Sequence, residues 1–346
     1  MKIAILSVTE KGLKLSEVIQ SKLNDDYTVI KADIYHKNVM KNMKNVFNKY
    51  DAIISIMATG ITIRAISPYI QSKVLDPAVL AIDEKGQYVV SLLSGHLGGG
   101  NDLTCKIAKY INGKPVISTS TDVNLKCGID SIASKYFYEI DDTKKIIDFN
   151  KAILDNISFS IKSDKDLSHL TKYFPGSTFK QVPKHKLSFN HREITDNIPL
   201  SIVNFSFKKN NQIYEMNMIE KKLVIGIGSK RGMKKEHVIF AIEEAIKNLN
   251  IPLSRVNSIA TISIKKDEIG IIKAAHDLNK KIEIIDIYDV RNFHSDDCSR
   301  SEFVYKKFQI DGVCEQCAMI AAGHDSKLIH KKCALNGVTV AVAISK

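Results

Sequence analysis

The sequence places one histidine inside a glycine-rich loop between an apolar strand and a helix. The segment Tyr88-Val-Val-Ser-Leu-Leu93 predicts a strand, and it continues as Ser94-Gly-His-Leu-Gly-Gly-Gly-Asn101. The imidazole of His96 titrates near neutral pH, so it could serve as a general base or acid in this loop. Glycines let backbone amides turn toward an anion at a helix N-terminus, although they could also form only a tight turn. The predicted binding residues of the loop are Gly95, Gly98, Gly99, Gly100 and Asn101.

Two further strand-to-helix loops carry residues suited to a carboxylate ligand. In Ala52-Ile-Ile-Ser-Ile-Met-Ala-Thr-Gly-Ile-Thr-Ile-Arg64, Thr59 could cap a helix, and Arg64 could bind a carboxylate or remain a solvated surface group. In Leu223-Val-Ile-Gly-Ile-Gly-Ser-Lys-Arg-Gly232, the glycines miss the spacing of a dinucleotide site, and the two cations favour an anion. A nicotinamide cofactor is therefore disfavoured, and without a Gly-Lys-Ser/Thr loop so is nucleoside triphosphate hydrolysis. The binding residues predicted in these two loops are Thr59, Gly60, Arg64, Gly228, Lys230 and Arg231.

Two polar segments follow predicted strands of the two halves of the chain. Ser118-Thr-Ser-Thr-Asp122 ends the strand that begins at Pro115 and offers the carboxylate of Asp122, although it could equally be a turn that caps a helix. Ser258-Ile-Ala-Thr-Ile-Ser-Ile-Lys-Lys-Asp-Glu268 offers Thr261 and Lys265 in the same way. Ligands of open α/β sheets bind at the carboxyl ends of the strands, so we expect these residues at the same sheet edge as the glycine-rich loops.

The six cysteines are too sparse for a disulfide framework in a chain of 346 residues. Cys314 and Cys317 share one face of a predicted helix, and no second pair completes a zinc site, so buried thiols are the favoured interpretation over metal or redox service. His294, His324 and His330 lack the close spacing of a metal triad. We therefore assign no metal site.

Hydrophobic periodicity predicts an α/β fold in three parts. Residues 1–138 and 223–346 alternate apolar runs with amphipathic segments, which is typical of Rossmann-like or flavodoxin-like α/β domains. Residues 139–222 combine turn residues with short β-type runs and predict a smaller α+β middle domain. The strands predicted in the first part are 2–8, 28–34, 51–57, 88–93 and 115–119, and its helices are 10–23, 38–49, 61–70 and 101–111. The third part is predicted to close with a hairpin around Asn336-Gly337.

Composition narrows the class of partner. The net charge of +12 favours nucleic acid, an acidic membrane surface or an anionic metabolite, but the lysines are scattered and no zinc finger or aromatic-interleaved basic groove accompanies them. No apolar stretch approaches the length of a membrane span, and the first residues show neither the h-region nor the cleavage site of a signal peptide, so we expect none. We therefore expect a cytoplasmic protein that binds a polyanionic small molecule and neither nucleic acid nor a membrane.

Together these loops resemble the cobalt-precorrin-5A hydrolase family, CbiG, of anaerobic cobalamin biosynthesis. The resemblance covers both α/β ends in order and not the middle. The segments that carry it are Met57-Ala-Thr-Gly-Ile-Thr-Ile-Arg64, Asp76-Pro-Ala-Val79, Ala81-Ile-Asp-Glu84, Ser94-Gly-His-Leu-Gly-Gly-Gly-Asn101, Pro115-Val-Ile-Ser-Thr-Ser-Thr-Asp122, Gly226-Ile-Gly-Ser-Lys-Arg-Gly232 and Ala260-Thr-Ile-Ser-Ile-Lys265.

The resemblance implies a three-domain enzyme that opens the ring-A δ-lactone of cobalt-precorrin-5A and releases acetaldehyde to give cobalt-precorrin-5B. The cobalt belongs to the substrate, so no separate cofactor is expected. Our own hypothesis for this reaction is that His96 deprotonates water for attack on the lactone carbonyl and then assists loss of the carbinol proton, while the amides of Gly98 to Gly100 stabilise the oxyanion. Arg64, Lys230 and Arg231 would bind peripheral carboxylates.

Two other functions stay open. One is a non-catalytic tetrapyrrole-binding or handover protein of the same pathway, because anion-binding loops do not distinguish holding from hydrolysis. The other is a nucleotide or sugar-phosphate enzyme on a doubly wound sheet. A homodimer, or transient contacts with neighbouring pathway enzymes, are further expected partners.

Overall fold

The computed structural model describes residues 1–184, 187–189, 192–193 and 200–346. The described residues form a mixed α/β protein with three larger sheets, which follow one another along the chain and involve residues 2–116, 138–220 and 223–344. The chain divides into two compact units: one comprises residues 3–22 and 33–221, and the other comprises residues 1–2, 23–32 and 222–346. The sheets therefore follow the predicted order of three segments, while the three-domain division stays a prediction.

The first sheet has six strands in the order β2-β1-β3-β4-β5-β6. These strands are β1 (Lys2–Ser7), β2 (Lys31–His36), β3 (Ala52–Ile56), β4 (Ala78–Ile82), β5 (Tyr88–Leu93) and β6 (Lys114–Val116). The helices of this segment are α1 (Glu10–Asn24), α2 (Val39–Val46), α3 (Thr59–Ile66) and α4 (Gly100–Ile111). All the predicted strands and helices are present, with ends that differ by up to about four residues. Strand β4 was not predicted.

Strand β4 changes the direction of the strands that follow it. β1, β3 and β4 are parallel, β5 pairs with β4 in the antiparallel sense, and β6 is parallel to β5. In that pairing Val79, near the start of β4, lies opposite Leu93, at the end of β5. The carboxyl ends of β5 and β6 therefore lie at the sheet edge opposite to those of β1, β3 and β4. The prediction that all the loops share one edge of a parallel sheet is wrong, and the Rossmann-like arrangement stays a prediction.

The turn between β4 and β5 explains the reversal. The side chain of Asp83 accepts hydrogen bonds from the amides of Lys85 at 2.9 Å and Tyr88 at 2.7 Å. Gly86 adopts a φ of 71°, a left-handed conformation that favours glycine. A short turn of this kind joins neighbouring antiparallel strands, so β4 and β5 form a hairpin.

Two helices connect the second sheet to the first, and a third lies between its strands β7 and β8. The connecting helices are α5 (Ser120–Val123) and α6 (Ile129–Lys135), and the third helix is α7 (Ile146–Leu154). The strands of this segment are β7 (Tyr138–Ile140), β8 (Ser160–Ser163), β9 (Thr178–Gln181), β10 (Ser188–Phe189), β11 (Arg192–Glu193), β12 (Ile202–Lys209) and β13 (Gln212–Glu220). The sheet order is β7-β13-β12-β8-β9, and β10 pairs with β11 separately. Phe149 of α7 packs on Phe159 and Phe207 with ring centroids 5.9 and 5.0 Å apart, so α7 is held against this sheet by an aromatic core.

The third sheet has the order β16-β15-β14-β18-β17. Its strands are β14 (Leu223–Ser229), β15 (Ser258–Ile262), β16 (Lys281–Ile285), β17 (Lys327–Leu335) and β18 (Val338–Ile344), and its helices are α8 (Lys235–Leu249), α9 (Ile269–Asp277), α10 (Ile287–Asn292), α11 (Glu302–Phe308) and α12 (Cys314–Ala322). The hairpin predicted around Asn336-Gly337 is confirmed, with φ values of 49° and 84°.

Helix α12 packs unusually close to β14. A Cβ atom added at Gly226 would lie 1.8 Å from the carbonyl oxygen of Cys314, so only glycine allows this approach. Cys314 and Cys317 are buried, and burial raises the pKa of the Cys314 thiol to about 12. Both thiols are therefore part of the core, as the favoured interpretation expected. Within the described residues, no helix combines the length and apolar composition needed to cross a membrane.

Candidate active site

His96 lies between two carboxylates in the loop that joins β5 to α4. Its Nε2 is 2.8 Å from Oδ2 of Asp122, and its Nδ1 is 3.1 Å from Oδ1 of Asp130. The His96 side chain is only 9% exposed, as is expected for a group enclosed by its partners. The structure thus brings together the predicted residues His96 and Asp122 and adds Asp130, which was not predicted.

Asn101 links the glycine-rich loop to the segment that carries Asp122. Its Nδ2 donates to Oδ2 of Asp122 at 3.1 Å and to Oγ1 of Thr119 at 3.2 Å. Its Oδ1 accepts a hydrogen bond from Ser91 of β5 at 2.8 Å. Because β5 and β6 are parallel, their carboxyl ends meet at one edge, which brings the loop after β5 beside the residues that follow β6. Asn101 is therefore a structural link within the site.

Asp130 is held from its other side by Asn150 of α7. Asn150 Nδ2 donates to Oδ1 of Asp130 at 3.0 Å, and Asn150 Oδ1 accepts from the amide of Ile129 at 2.8 Å. The Asp130 side chain is only 7% exposed. Neither residue belongs to a sequence motif of the loops, and Asn150 lies in the segment expected to form a separate middle domain. Sequence spacing alone therefore gave no sign of this pair.

The two carboxylates determine the charge of His96. Burial alone would lower the pKa of His96, but the hydrogen bonds and charges of Asp130 and Asp122 outweigh it and raise the pKa to about 9. Burial would raise the pKa of Asp130, and the hydrogen bonds from His96 and Asn150 instead hold it below its usual value. At neutral pH His96 is therefore a cation that donates from both nitrogens. This resting state suits a proton donor, whereas the predicted role was that of a base toward water.

The amides of the glycine-rich loop are used inside the loop. Gly99 donates to the carbonyl of His96 at 2.9 Å, and Gly100 donates to the carbonyl of Ser94 at 3.1 Å. These two amides are not free to bind an oxyanion, so that part of the prediction is wrong. The glycines are needed for close packing instead: a Cβ at Gly98 would lie 2.6 Å from Cβ of Ser94, and one at Gly95 would lie 2.6 Å from Oδ1 of Asn101.

A pocket of about 330 Å³ opens beside this cluster. His96 and Asp130 line it together with Lys73, which precedes β4 and contributes a cation. The other polar lining residues include Ser94, Thr119, Ser120, Thr121 and Asn150. Oγ1 of Thr121, a hydroxyl of the pocket, lies 3.3 Å from Nε2 of His96. The Nε2 side of the imidazole therefore faces this hydroxyl. The pocket thus offers hydroxyls, an imidazolium and a lysine to a ligand that carries oxygen atoms.

Thr59, Gly60 and Arg64 lie away from this pocket. They follow the carboxyl end of β3, at the sheet edge opposite to His96, and five-residue strands separate the two edges by roughly 15 Å. All three residues are exposed. Thr59 begins α3, whose cap position is taken by Ala58, so the predicted cap is also wrong. The reason is β4, which reverses the strand that leads to His96.

The predicted residues of the third sheet have mostly structural contacts. Thr261 is buried and donates to the carbonyl of Ile227 at 2.8 Å, which removes it from any ligand surface. Gly228 belongs to β14, and a Cβ there would lie 2.6 Å from Oγ1 of Thr339. The predicted substrate contacts of Thr261 and Gly228 are therefore replaced by packing within the sheet.

The predicted cations of this segment are near the surface. Lys265 pairs with Glu268 at 2.9 Å, and Arg231, which is 89% exposed, lies 3.7 Å from the same carboxylate. Lys230 is exposed, and its amide donates to the carbonyl of Gly337 at 2.9 Å. Arg231 also lines a second pocket of about 590 Å³ that Lys234, Lys235 and Lys273 surround. Carboxylate binding by these cations stays a prediction. Across the described part of the chain, no three His, Cys, Asp or Glu side chains are placed to hold a metal ion.

Comparison with known proteins matches both ends of the chain. Residues 41–122 match the family model Cobalamin synthesis G N-terminal, and residues 223–343 match Cobalamin synthesis G C-terminus. A protein of Methanocaldococcus jannaschii named probable cobalt-precorrin-5A hydrolase is 32% identical, over 99% of this chain and 99% of that protein. The cobalt-precorrin-5A hydrolase of Priestia megaterium is 25% identical, over 99% of this chain and 94% of its own length.

A solved structure matches this chain over its whole length. The crystal structure of a cobalamin biosynthesis protein G homolog from Sulfolobus solfataricus covers 100% of this chain and 97% of that chain, with 25% identity and a TM-score of 0.59. The matched models include the glycine-rich loop with His96 and Asp122, and the relatives extend over the segment that carries Asp130 and Asn150. The two family models and the relatives that match over almost the whole chain show that this chain belongs to the CbiG family of cobalamin synthesis proteins.

Proposed function

We propose that this chain is a cobalt-precorrin-5A hydrolase, which opens the ring-A δ-lactone of its substrate and releases acetaldehyde to give cobalt-precorrin-5B. Relatives that carry this name match the chain over almost its whole length. The single observation that supports chemistry, and not only binding, is the imidazolium of His96 held between Asp122 and Asp130 at a pocket. Enclosed acid–base groups with strongly shifted pKa values are typical of catalytic sites.

In the first step, water adds to the lactone carbonyl and the ring C–O bond breaks. Asp122, whose side chain is 35% exposed, is the carboxylate available to accept the proton of the attacking water. The imidazolium of His96 donates its Nε2 proton to the departing ring oxygen, which leaves as the hydroxyl of a carbinol. The products of this step are the opened ring and a carboxylic acid that ionises to solvent, with Asp122 now protonated and His96 neutral; Asp122 then returns its proton to solvent.

In the second step, neutral His96 takes the proton of that hydroxyl. The C–C bond between the carbinol carbon and the macrocycle breaks, its electron pair passes into the conjugated ring system, and the carbinol carbon leaves as acetaldehyde. The same nitrogen therefore acts first as an acid and then as a base, which a group with a pKa near 9 can do once it has given up its proton.

The pocket suits one edge of the macrocycle better than the whole ring. At about 330 Å³ it could hold the lactone-bearing ring, while Lys73 binds a neighbouring acetate or propionate group. We propose that cobalt enters only as part of the substrate and that the protein needs no cofactor of its own. Cytoplasmic location, a homodimer, and contacts with neighbouring pathway enzymes stay predictions.

The test is anaerobic incubation of the purified chain with cobalt-precorrin-5A while its visible spectrum is followed and acetaldehyde is trapped as a hydrazone. We expect stoichiometric aldehyde and a spectral change to the product. A chain that binds the substrate, seen as a spectral shift or thermal stabilisation, but releases no aldehyde would instead be the tetrapyrrole-binding or handover protein.

A further inference from the structure

We propose that Asp130 and Asn150 are positioning residues that orient the ring of His96 and keep its Nδ1 protonated, so that His96 exchanges protons only through Nε2. This inference rests on the proposed function for its kinetic consequences. The position of the proton on the ring can be measured without substrate. Neither residue belongs to the loops that first indicated the site.

The two sides of the imidazole differ in exposure. The carboxylate on the Nδ1 side, Asp130, is 7% exposed, whereas the one on the Nε2 side, Asp122, is 35% exposed. Thr121 on the Nε2 side and Asp130 on the Nδ1 side both line the pocket, so the exposure of the two carboxylates, and not the pocket, distinguishes the two sides. A buried carboxylate is stabilised by a partner that stays charged or keeps its hydrogen bond, while an exposed one can exchange that partner for water or substrate. The contact with Asp130 is therefore the permanent one.

Asn150 holds the carboxylate of Asp130 in place, and Asp130 in turn orients His96. It donates to Oδ1 of Asp130 at 3.0 Å and accepts from the amide of Ile129 at 2.8 Å, so it joins α7 to the start of α6. The space around this contact is filled: a Cβ at Gly128 would lie 2.8 Å from Oδ1 of Asp130. Asp130 consequently has little freedom to turn away from His96, which is what an orienting group requires.

The charged groups that face His96 determine how the replacement of Asp130 should change the pKa of His96. Asp130 approaches from α6 and Asp122 from α5, while Lys73, from the segment before β4, lines the same pocket. Replacing Asp130 by asparagine removes one of the two negative charges. The pKa of His96 should then fall, and an amide could offer a donor to Nδ1 and favour the opposite tautomer.

The first measurement uses the unaltered protein with ¹⁵N-labelled histidine. Above pH 9, where His96 is neutral, we expect the ring nitrogen shifts to show a proton on Nδ1 and none on Nε2. A neutral His96 with its proton on Nε2 would overturn the proposal, whatever the variants do.

The second measurement compares Asp130→Asn with Asp102→Asn, which removes an exposed carboxylate from the first turn of α4 without touching His96. For Asp130→Asn we expect kcat for acetaldehyde release to fall by at least about 100-fold with little change in KM, and the loss of activity at high pH to begin at lower pH. The Asp102→Asn variant should keep the activity, pH profile and ring titration of the unaltered protein.

Asn150→Ala serves if Asp130→Asn does not fold, because it keeps the carboxylate and removes its hydrogen bond from Asn150, together with the acceptor of the Ile129 amide and one side chain of the pocket lining. We expect kcat to fall about 10-fold and the pH profile to move in the same direction. Unchanged pH profiles and ring titrations in the foldable variants would overturn the proposal. If the unaltered protein releases no acetaldehyde, the proposed hydrolase function fails, and the ring titrations still decide the role of Asp130.

Discussion

At the scale of single residues, His96 joins two carboxylates, each of which would carry an unbalanced negative charge without it. Its replacement by glutamine keeps a polar side chain of similar reach but removes the group that gives and takes the proton. We expect His96→Gln to lower acetaldehyde release by at least about 100-fold. The matched control is His276→Gln, since His276 is 88% exposed and lies on α9. Near-normal release by the His96 variant would remove His96 from the mechanism.

The same contacts make stability depend on pH. The folded-state pKa of His96 is about 9 and its ordinary value is 6.5, so the folded state holds its proton more tightly. The resulting stabilisation, on the order of 3 kcal/mol, is complete below about pH 6.5 and is lost as the pH rises through about 9. Urea unfolding of the unaltered protein and of His96→Gln, measured from pH 6 to 10, should converge in free energy at the alkaline end. Parallel curves would contradict the ion pairs.

Sequence reasoning could predict some of these residues and not others. His96, Asn101 and Asp122 stand in compact motifs after predicted strands, and the strand pairing brings them together. Asp130 and Asn150 come from helices whose packing depends on the second sheet, so no local pattern could indicate them. The protonation state of His96 could not be predicted from the sequence either, because it depends on Asp122 and Asp130, which follow His96 by 26 and 34 residues.

At the scale of elements, the glycine-rich loop is a packed turn. Gly98 and Gly99 test this directly, because a Cβ at Gly98 would lie 2.8 Å from the carbonyl oxygen of Ser94, whereas one at Gly99 meets nothing within 4 Å. We expect Gly98→Ala to lower the free energy of unfolding by about 3 kcal/mol and to reduce kcat about 100-fold by displacing His96.

Gly99→Ala should cost only about 1 kcal/mol, since its φ of 74° strains an alanine but no atom blocks it. Thermal or chemical unfolding of both variants measures the difference. The opposite order, with Gly99→Ala the more damaging change, would favour a loop whose conformation and not its packing matters.

The missed strand β4 shows where periodicity fails. Ala78-Val-Leu-Ala-Ile82 is apolar at every position and short, so it carries no alternation that separates a strand from a buried piece of helix. Without β4 in the predicted sheet, β5 is predicted to be parallel to the strands before it. The turn residues Asp83 and Gly86 were the sequence signal for the reversal of β5, because such residues join neighbouring antiparallel strands.

At the scale of the whole molecule, each edge of the first sheet carries a cation suited to a substrate carboxylate, so the two edges are alternative binding sites. Lys73 lines the His96 pocket, and Arg64 lies at the opposite edge. We expect Lys73→Gln to raise KM about 5-fold with kcat nearly unchanged, because an exposed lysine gives modest binding to a carboxylate.

Arg64→Gln makes the same change of charge and should leave KM and kcat as they are. Steady-state kinetics at low and at physiological salt measure both variants. An Arg64 variant with the larger effect would move the carboxylate-binding surface to the other edge of the first sheet.

The global properties were the ones that composition and periodicity predicted best. The mixed α/β class, the succession of three segments and the family follow from long apolar periods and several short motifs, which need no knowledge of packing. The positive charge of +12 agrees with a polycarboxylate substrate, yet it did not locate the pocket, since lysines are spread over the chain.

Two buried thiols on α12 can report the transient opening of one part of the molecule. Cys314 and Cys317 are enclosed, whereas Cys105, in α4, is exposed. Iodoacetamide should thus label Cys105 within minutes and reach the other two only during transient opening of the third-sheet region. Mass-resolved labelling rates in dilute urea would then time that opening separately from events around α4, and equal rates at all three sulfurs would mean that the packing of α12 against β14 does not shield Cys314 and Cys317.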